Sequence, residues 1–240
     1  MVEIMATLYG RVLKFDKNDP RWADRDRFIL SKGHGVLGYF PALLAVGIIS
    51  EEIYNTFQTN ESHLIAHPVM NLDLGIESSN GSLGQGLSMA VGLALAAKKK
   101  GLRHKVYVLV GDGECNEGSV WEAIMAAAQL RLDNLVAVVD YNKLQSDGSA
   151  DKIMDLSNFA SKFKAFGWNV CEVDGHAVPE LVAAFDRGFP DVAPKAIVAH
   201  TVKGKGISFM ENNNEWHHNR LTKTRYDLAL LELEGEHAGN

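Results

Sequence analysis

Along the chain, apolar positions fall into two rhythms. At the start, Met1, Ile4, Met5, Leu8, Tyr9 and Val12 recur at the three- and four-residue spacing of one helix face, with no capping residue ahead of them. The chain therefore reads as beginning inside a helix, within a partial helical region over 1–20; a longer parent chain and a frayed first turn both account for the pattern. Helical spacing returns over Pro41–Val46, Glu51–Phe57, Leu83–Lys100, Gly118–Leu130, Leu156–Phe166, Pro179–Arg187 and Thr224–Glu234. Among these segments lie short runs rich in β-branched residues: Val106–Val110, Leu135–Asp140, Asn169–Val173 and Ala196–Thr201. Nearly every position in those runs is apolar. A strand with one wet face alternates polar and apolar residues, whereas a strand apolar throughout is covered on both sides, as in a parallel sheet between two helix layers. The expectation is a doubly wound, mostly parallel α/β fold flanked by helices, with ligands at the carboxyl ends of the strands. No internal repeat or low-complexity linker interrupts the pattern, so one domain is expected over 1–240, with a loose polar tail at 235–240.

Composition narrows the function classes. The 240 residues are 46% hydrophobic and 22% charged, which excludes a disordered or fibrous chain. Lys plus Arg number 24 against 30 Asp plus Glu, a net charge of −6 that speaks against a dedicated nucleic-acid or anionic-membrane binder. The longest apolar stretch, Tyr39–Ile49, holds Pro41 and Gly47 and falls short of the roughly 20 residues of a membrane helix. Cys115 and Cys171 are too few for a disulfide framework, and Met1–Met5 lack the basic flank of a signal peptide. A reducing cytoplasm is the expected setting.

The chemistry concentrates at two strand ends. The run Val106–Val110 is followed by Gly111-Asp112-Gly113-Glu114 and then Asn116-Glu117-Gly118, which opens a helix. The run Leu135–Asp140 is followed by Tyr141-Asn142-Lys143. Adjacent loops of one sheet thus present a carboxylate, Asp112, and an amide oxygen, Asn142. Hard oxygens of this kind, completed by a main-chain carbonyl, water and phosphate, suit octahedral Mg²⁺. Gly111 and Gly113 let the main chain approach a ligand, and a helix N-terminus favours a diphosphate. A Gly-Asp-Gly tripeptide alone is also a tight turn; the strand-end Asn about thirty residues later favours the ligand pair.

This Gly-Asp-Gly and Asn142 pairing resembles the thiamin diphosphate fingerprint, and the rest of the chain resembles the transketolase family. Ser31-Lys32-Gly33-His34-Gly35 is similar to that family's S-x-G-H-x loop, Ala66-His67-Pro68 to its G-H-P, and Gly81-Ser82-Leu83-Gly84-Gln85-Gly86 to its G-P-L-G-Q-G with Ser82 for proline. The likeness covers nearly the whole chain and is closest to split transketolases, whose thiamin-diphosphate-binding half is a separate polypeptide. The resemblance implies that Asp112, Asn142 and the Leu144 carbonyl hold Mg²⁺, or Ca²⁺ or Mn²⁺ in its place. It places Gly113 and Glu114 at the cofactor, and Gly81, Ser82 and Leu83 along its rings. Glu117 and Glu122 match carboxylates at the subunit interface near the cofactor; a solvated helix face is the plainer reading. His34 and His67 fall in family motifs and are expected to contact cofactor or donor and to move protons. His217 follows Trp216 and resembles a W-H-G histidine that reaches the diphosphate, although position 218 is His and the assignment can slip by one.

The implied function is a two-chain transketolase subunit that transfers a two-carbon ketol unit between sugars or sugar phosphates. The implied partner carries the pyrimidine-binding domain and a glutamate for the cofactor's N1′, in an α₂β₂ assembly. A deoxyxylulose phosphate synthase-like or 2-oxo acid dehydrogenase component, or a relative without turnover, are the alternatives. The family's early S-G-H-P-G segment would precede Met1. His104, His176, His200 and His237 read as structural, Cys115 as a small filler, and Lys203-Gly204-Lys205-Gly206 as a weak phosphate signal without Walker spacing.

Overall fold

The four apolar runs form four of the five strands of one sheet. The computed structural model describes residues 1–237. Its strands are β1 (Arg27–Leu30), β2 (Val106–Gly111), β3 (Leu135–Tyr141), a small hairpin of β4 (Leu144–Gln145) and β5 (Gly148–Ser149), then β6 (Asn169–Asp174) and β7 (Lys195–His200). The main sheet has the order β1-β2-β3-β7-β6, and every neighbouring pair is parallel. The helices are α1 (Val2–Thr7), α2 (Val36–Ala45), α3 (Glu51–Tyr54), α4 (Gln85–Lys99), α5 (Gly118–Gln129), α6 (Ala150–Met154), α7 (Phe159–Ala165), α8 (Val178–Asp186) and α9 (Lys223–His237).

Successive strand residues point to opposite faces, and here both faces are dry. Tyr107, Leu109, Val136, Val138, Ile197 and Ala199 join a core with α1, α2 and α8. Val106, Val108, Val110, Ala137, Val139 and Val198 join a second core with α4, α5 and α7. This two-sided burial explains why the strands read as unbroken apolar runs. The first helix is packed as its spacing predicts, with Ile4, Met5 and Leu8 fully buried and a π-helical turn continuing over Leu8–Val12. No described helix is long and apolar enough to cross a membrane.

Several boundaries differ from the sequence pattern. The helix expected to start at Pro41 begins at Val36, with Pro41 inside it. Burial of Val36, Tyr39, Phe40 and Leu43 on one face offsets the hydrogen bond that proline removes. The segment expected from Leu156 starts later, at Phe159, because Asn158 adopts φ 62° and caps α7 by accepting from Ser161 N at 3.1 Å. The loose tail expected at 235–240 is helical through His237, and residues 238–240 lie outside the described residues.

Candidate functional site

Parallel strands bring the ends of β1, β2, β3 and β7 to one edge, where Gly111 and Asp140 are in register. Asp112 follows β2 and is 3% exposed. Its Oδ1 accepts from Gly113 N at 2.9 Å and its Oδ2 from Lys143 N at 2.6 Å, so the β2 and β3 loops are tied through this carboxylate. Lys143 takes φ 65° to make that turn, and Asn142 Oδ1 accepts from Leu144 N at 2.9 Å. Burial pushes the Asp112 carboxyl up to about 6, against the two main-chain hydrogen bonds and the charge of Lys32.

The donor set fits a hard divalent cation. Asp112 and Asn142 each keep lone pairs beyond those hydrogen bonds, and the Leu144 carbonyl is in the same turn. No cluster of three or more His, Cys, Asp or Glu is present among the described residues to form an all-protein cage. A cation here would draw its remaining oxygens from water and ligand, as Mg²⁺ characteristically does. The adjoining surface is equally unfilled in its hydrogen bonding. A Cβ at Gly113 would stand 2.8 Å from Gln145 Cβ, so the loop main chain lies directly on β4. Among the described residues Gln145 Nε2, Asn214 Oδ1 and His217 Nδ1 are buried without a hydrogen-bond partner; diphosphate oxygens would accept from Gln145 Nε2 and from a protonated His217 Nδ1, whereas Asn214 Oδ1 needs a donor such as water.

The histidines separate by position. The rings of His34 and His217 are 5.5 Å apart, centroid to centroid, whereas His218 is exposed. His34 keeps an accessible edge, but the protein crowding its other side, followed by the charges of Lys32, His217 and Lys203, pushes its imidazole down to about 4. Burial likewise lowers His217, with Lys203 and Lys32 adding to the effect. His67 lies exposed against Gly81, and Gly33 beside His34 backs onto the Asn80 carbonyl, which would be 2.7 Å from a Cβ at that position. The His34, His67 and Gly81–Leu83 loops are therefore neighbours. Gly81, Ser82 and Leu83 are all exposed.

Glu114 stands differently from the expectation that it touches a cofactor. Its Oε1 accepts from Gly84 N at 2.9 Å and from the Ser31 hydroxyl, and its Oε2 accepts from Gly111 N at 3.0 Å. The buried carboxylate clamps three loops, and burial raises its pKa. Gly84, one of these anchors, has φ +84°, and a Cβ there would meet Ser119 Oγ at 2.5 Å. Glu117 and Glu122 are exposed at the start of α5 and along it. Cys115 is fully buried with its thiol pushed up by burial, as a filler residue requires. His176 bonds Glu3 and Val202 N, and His200 bonds Glu172. His104 is buried with Nδ1 unpartnered, and the side chain of His237 lies outside the described residues.

Sequence reasoning gave no role to Lys32, Asp140 and Thr201, and read Lys203 only as part of a weak phosphate signal. Lys32 and Asp140 form a buried ion pair at this edge, and Lys203 is half-buried with its pKa lowered first by burial and then by Lys32. The available signal was Asp140 itself, a charged residue closing an otherwise apolar run.

Comparison with known proteins decides the family. The family described as transketolase, thiamine diphosphate binding domain, matches residues 1–229. The chain belongs to the transketolase family. It is 45% identical over 235 residues to an apulose-4-phosphate transketolase subunit of Actinobacillus succinogenes, covering 98% of this chain and 85% of that one. It is 42% identical over 237 residues to the 6-deoxy-6-sulfo-D-fructose transketolase subunit SqwG of a Clostridium species, covering 98% and 86%. Human transketolase is 38% identical over 232 residues, but there the match covers 96% of this chain and only 37% of the human protein. The transketolase structure from Campylobacter jejuni superimposes with a TM-score of 0.87 at 29% identity, over 96% of this chain and 37% of that one. The parallel sheet between helix layers is thus the transketolase thiamin-diphosphate-binding fold.

Proposed function

We propose that the chain is the Mg²⁺- and thiamin-diphosphate-binding subunit of a two-chain transketolase, moving a two-carbon ketol unit from a ketose or its phosphate to an aldose or its phosphate. The observation that carries this reading is the buried Asp112 carboxylate tied to the Asn142 loop and lying next to Gln145, whose Nε2 is buried without a partner among the described residues. Asp112, Asn142 and the Leu144 carbonyl would hold Mg²⁺, with Ca²⁺ or Mn²⁺ able to replace it. Gly113 and His217 would face the diphosphate, and Gly81, Ser82 and Leu83 the rings. Bound thiamin diphosphate supplies the electron sink for breaking and forming a carbon–carbon bond. The protein's own contribution is to orient the cofactor, exclude water and move protons. His34, held neutral by its surroundings, can accept or donate at a sugar hydroxyl, and His67 lies close enough to share that work. Glu114 acts through the loops that it clamps.

A second polypeptide completes the site in this reading, supplying the pyrimidine-binding domain and the N1′ glutamate within an α₂β₂ assembly in the cytoplasm. Three of the relatives are themselves named as transketolase subunits. Leu83 at the entrance to α4, Met89 on α4 and Met125 on α5 are exposed apolar residues near Glu117 and Glu122, as a partner-facing surface requires.

Two results are expected here. His34→Ala and His67→Ala should each lower kcat of the reconstituted enzyme about 10²–10⁴-fold while shifting the melting temperature little, because both histidines are themselves exposed. Steady-state kinetics with melting curves checks this, and a variant with near-normal turnover returns its histidine to a structural role. The second concerns pH. Asp112 has a folded-state pKa raised to about 6, so its contribution to the ligand-free fold is present at low pH and is lost as pH rises through that value. Mg²⁺ must displace this proton, and its affinity should fall up to about tenfold per pH unit below 6. Calorimetry with Mg²⁺ and thiamin diphosphate at pH 5 and 7.5 measures it; equal affinities contradict the assignment.

A further inference from the structure

One buried ion pair at the carboxyl edge has no part in the chemistry above. Lys32 and Asp140 are 6% and 2% exposed, and Lys32 Nζ lies 2.6 Å from Asp140 Oδ2. Thr201 Oγ1 donates to the other oxygen, Oδ1, at 2.6 Å. Lys32 follows β1, Asp140 lies near the end of β3, and Thr201 follows β7. Since β2 lies between β1 and β3, the lysine stem crosses the end of β2, and its Cδ would be 3.7 Å from a Cβ at Gly111. Each of the three residues is two positions from a residue of the site: His34, Asn142 and Lys203.

We propose that Lys32, Asp140 and Thr201 are positioning residues, a brace across the strand ends that fixes the metal loop against the His34 and Lys203 loops; this rests on the thiamin diphosphate reading. A buried ion pair adds little net stability, because desolvation of the two charges offsets their attraction. What this one supplies is direction. The two oxygens of Asp140 are held by two different loops through its side chain. Its main-chain carbonyl meanwhile accepts from Asn142 N at 3.2 Å and from Asp112 N at 3.4 Å. A displacement of Asp140 therefore moves both side-chain metal ligands at once. Mg²⁺ demands near-ideal octahedral geometry, so a small spread of those oxygens weakens binding while both apolar cores stay packed.

The test uses the full chain together with its pyrimidine-domain partner, with Mg²⁺ and thiamin diphosphate as the probe. Lys32→Met combined with Asp140→Asn removes both charges at similar size, and Thr201→Val removes one hydrogen bond at nearly constant shape. Calorimetry gives the dissociation constant, melting gives global stability, and amide hydrogen exchange at Lys143 and Leu144, without ligand, reports on the metal loop. The double variant is expected to bind about 10–100-fold more weakly and Thr201→Val to a smaller degree in the same direction. Melting temperatures should stay close to wild type, and exchange at Lys143 and Leu144 should accelerate ahead of the core strands. Lys32→Arg, which keeps the charge, should retain part of the affinity. Folded variants with wild-type affinity and wild-type exchange overturn the brace, as does a loss of binding that only follows global destabilisation. If the wild-type chain together with its pyrimidine-domain partner takes up no Mg²⁺ and thiamin diphosphate, the cofactor reading fails, while unchanged exchange in the variants separately overturns the brace.

Discussion

Assayed alone with Mg²⁺, thiamin diphosphate and a ketose phosphate donor, the purified chain is expected to transfer no ketol group. Turnover is expected only when a second polypeptide carrying the pyrimidine-binding domain is added. The reason is chemical. The aminopyrimidine needs a carboxylic acid at N1′, which the family resemblance assigns to the pyrimidine-binding domain. The acidic residues on this side are committed otherwise: Asp112 to the Gly113 and Lys143 amides, Glu114 to three loop hydrogen bonds and Asp140 to Lys32. Glu117 and Glu122 lie exposed on and beside α5. Loss of a proton-transfer group alone lowers rates about 10²–10⁴-fold. Leaving the Gly81–Leu83 loop open to water, as it is in this chain, removes the dry environment as well. Donor consumption by the chain alone, comparable to that of the mixture, would break the two-chain reading.

Asp112→Ala is expected to abolish Mg²⁺-dependent cofactor binding, a loss of more than about a hundredfold in affinity, while the fold persists. The substitution removes the one side-chain carboxylate of the ligand set. The methyl group that replaces it cannot accept the Lys143 amide, so the β3 loop also loosens. The ligand-free protein should nevertheless keep its melting temperature near neutral pH or gain slightly. Burial raises this carboxyl, so its ionised form weighs against the wild-type fold there. Calorimetry paired with thermal melting checks both halves, and wild-type affinity in the variant would sink the metal assignment.

The fold was legible because both faces of the sheet are dry. Val106–Val110 and Leu135–Val139 carry almost nothing but apolar residues, and each residue of those two runs is buried. The first strand escaped notice because Arg27–Leu30 holds only four residues and opens on a charge. The start of α2 was hidden by Pro41, which marks a first turn in most sequences and here sits inside a helix secured by packing. At the site, the closeness of the Asp112 and Asn142 loops was readable from their strand-end positions, and the structure ties the two loops through Asp112 and Lys143 N. Lys32 and Thr201 were not, since their roles arise from strand order: β7 lies beside β3 although about sixty residues separate them along the chain. Glu114 shows the converse. Its place in a motif suggested contact with a ligand, whereas its hydrogen bonds turn it toward Ser31, Gly84 and Gly111.

The most direct measurement is a calorimetric titration of thiamin diphosphate into the full chain, with its pyrimidine-domain partner present, in the presence and absence of Mg²⁺. Saturable binding of one cofactor per copy of this chain is expected, dependent on Mg²⁺ and removed by Asp112→Ala. Absence of binding under both conditions, or binding indifferent to Mg²⁺ and to Asp112, would contradict it.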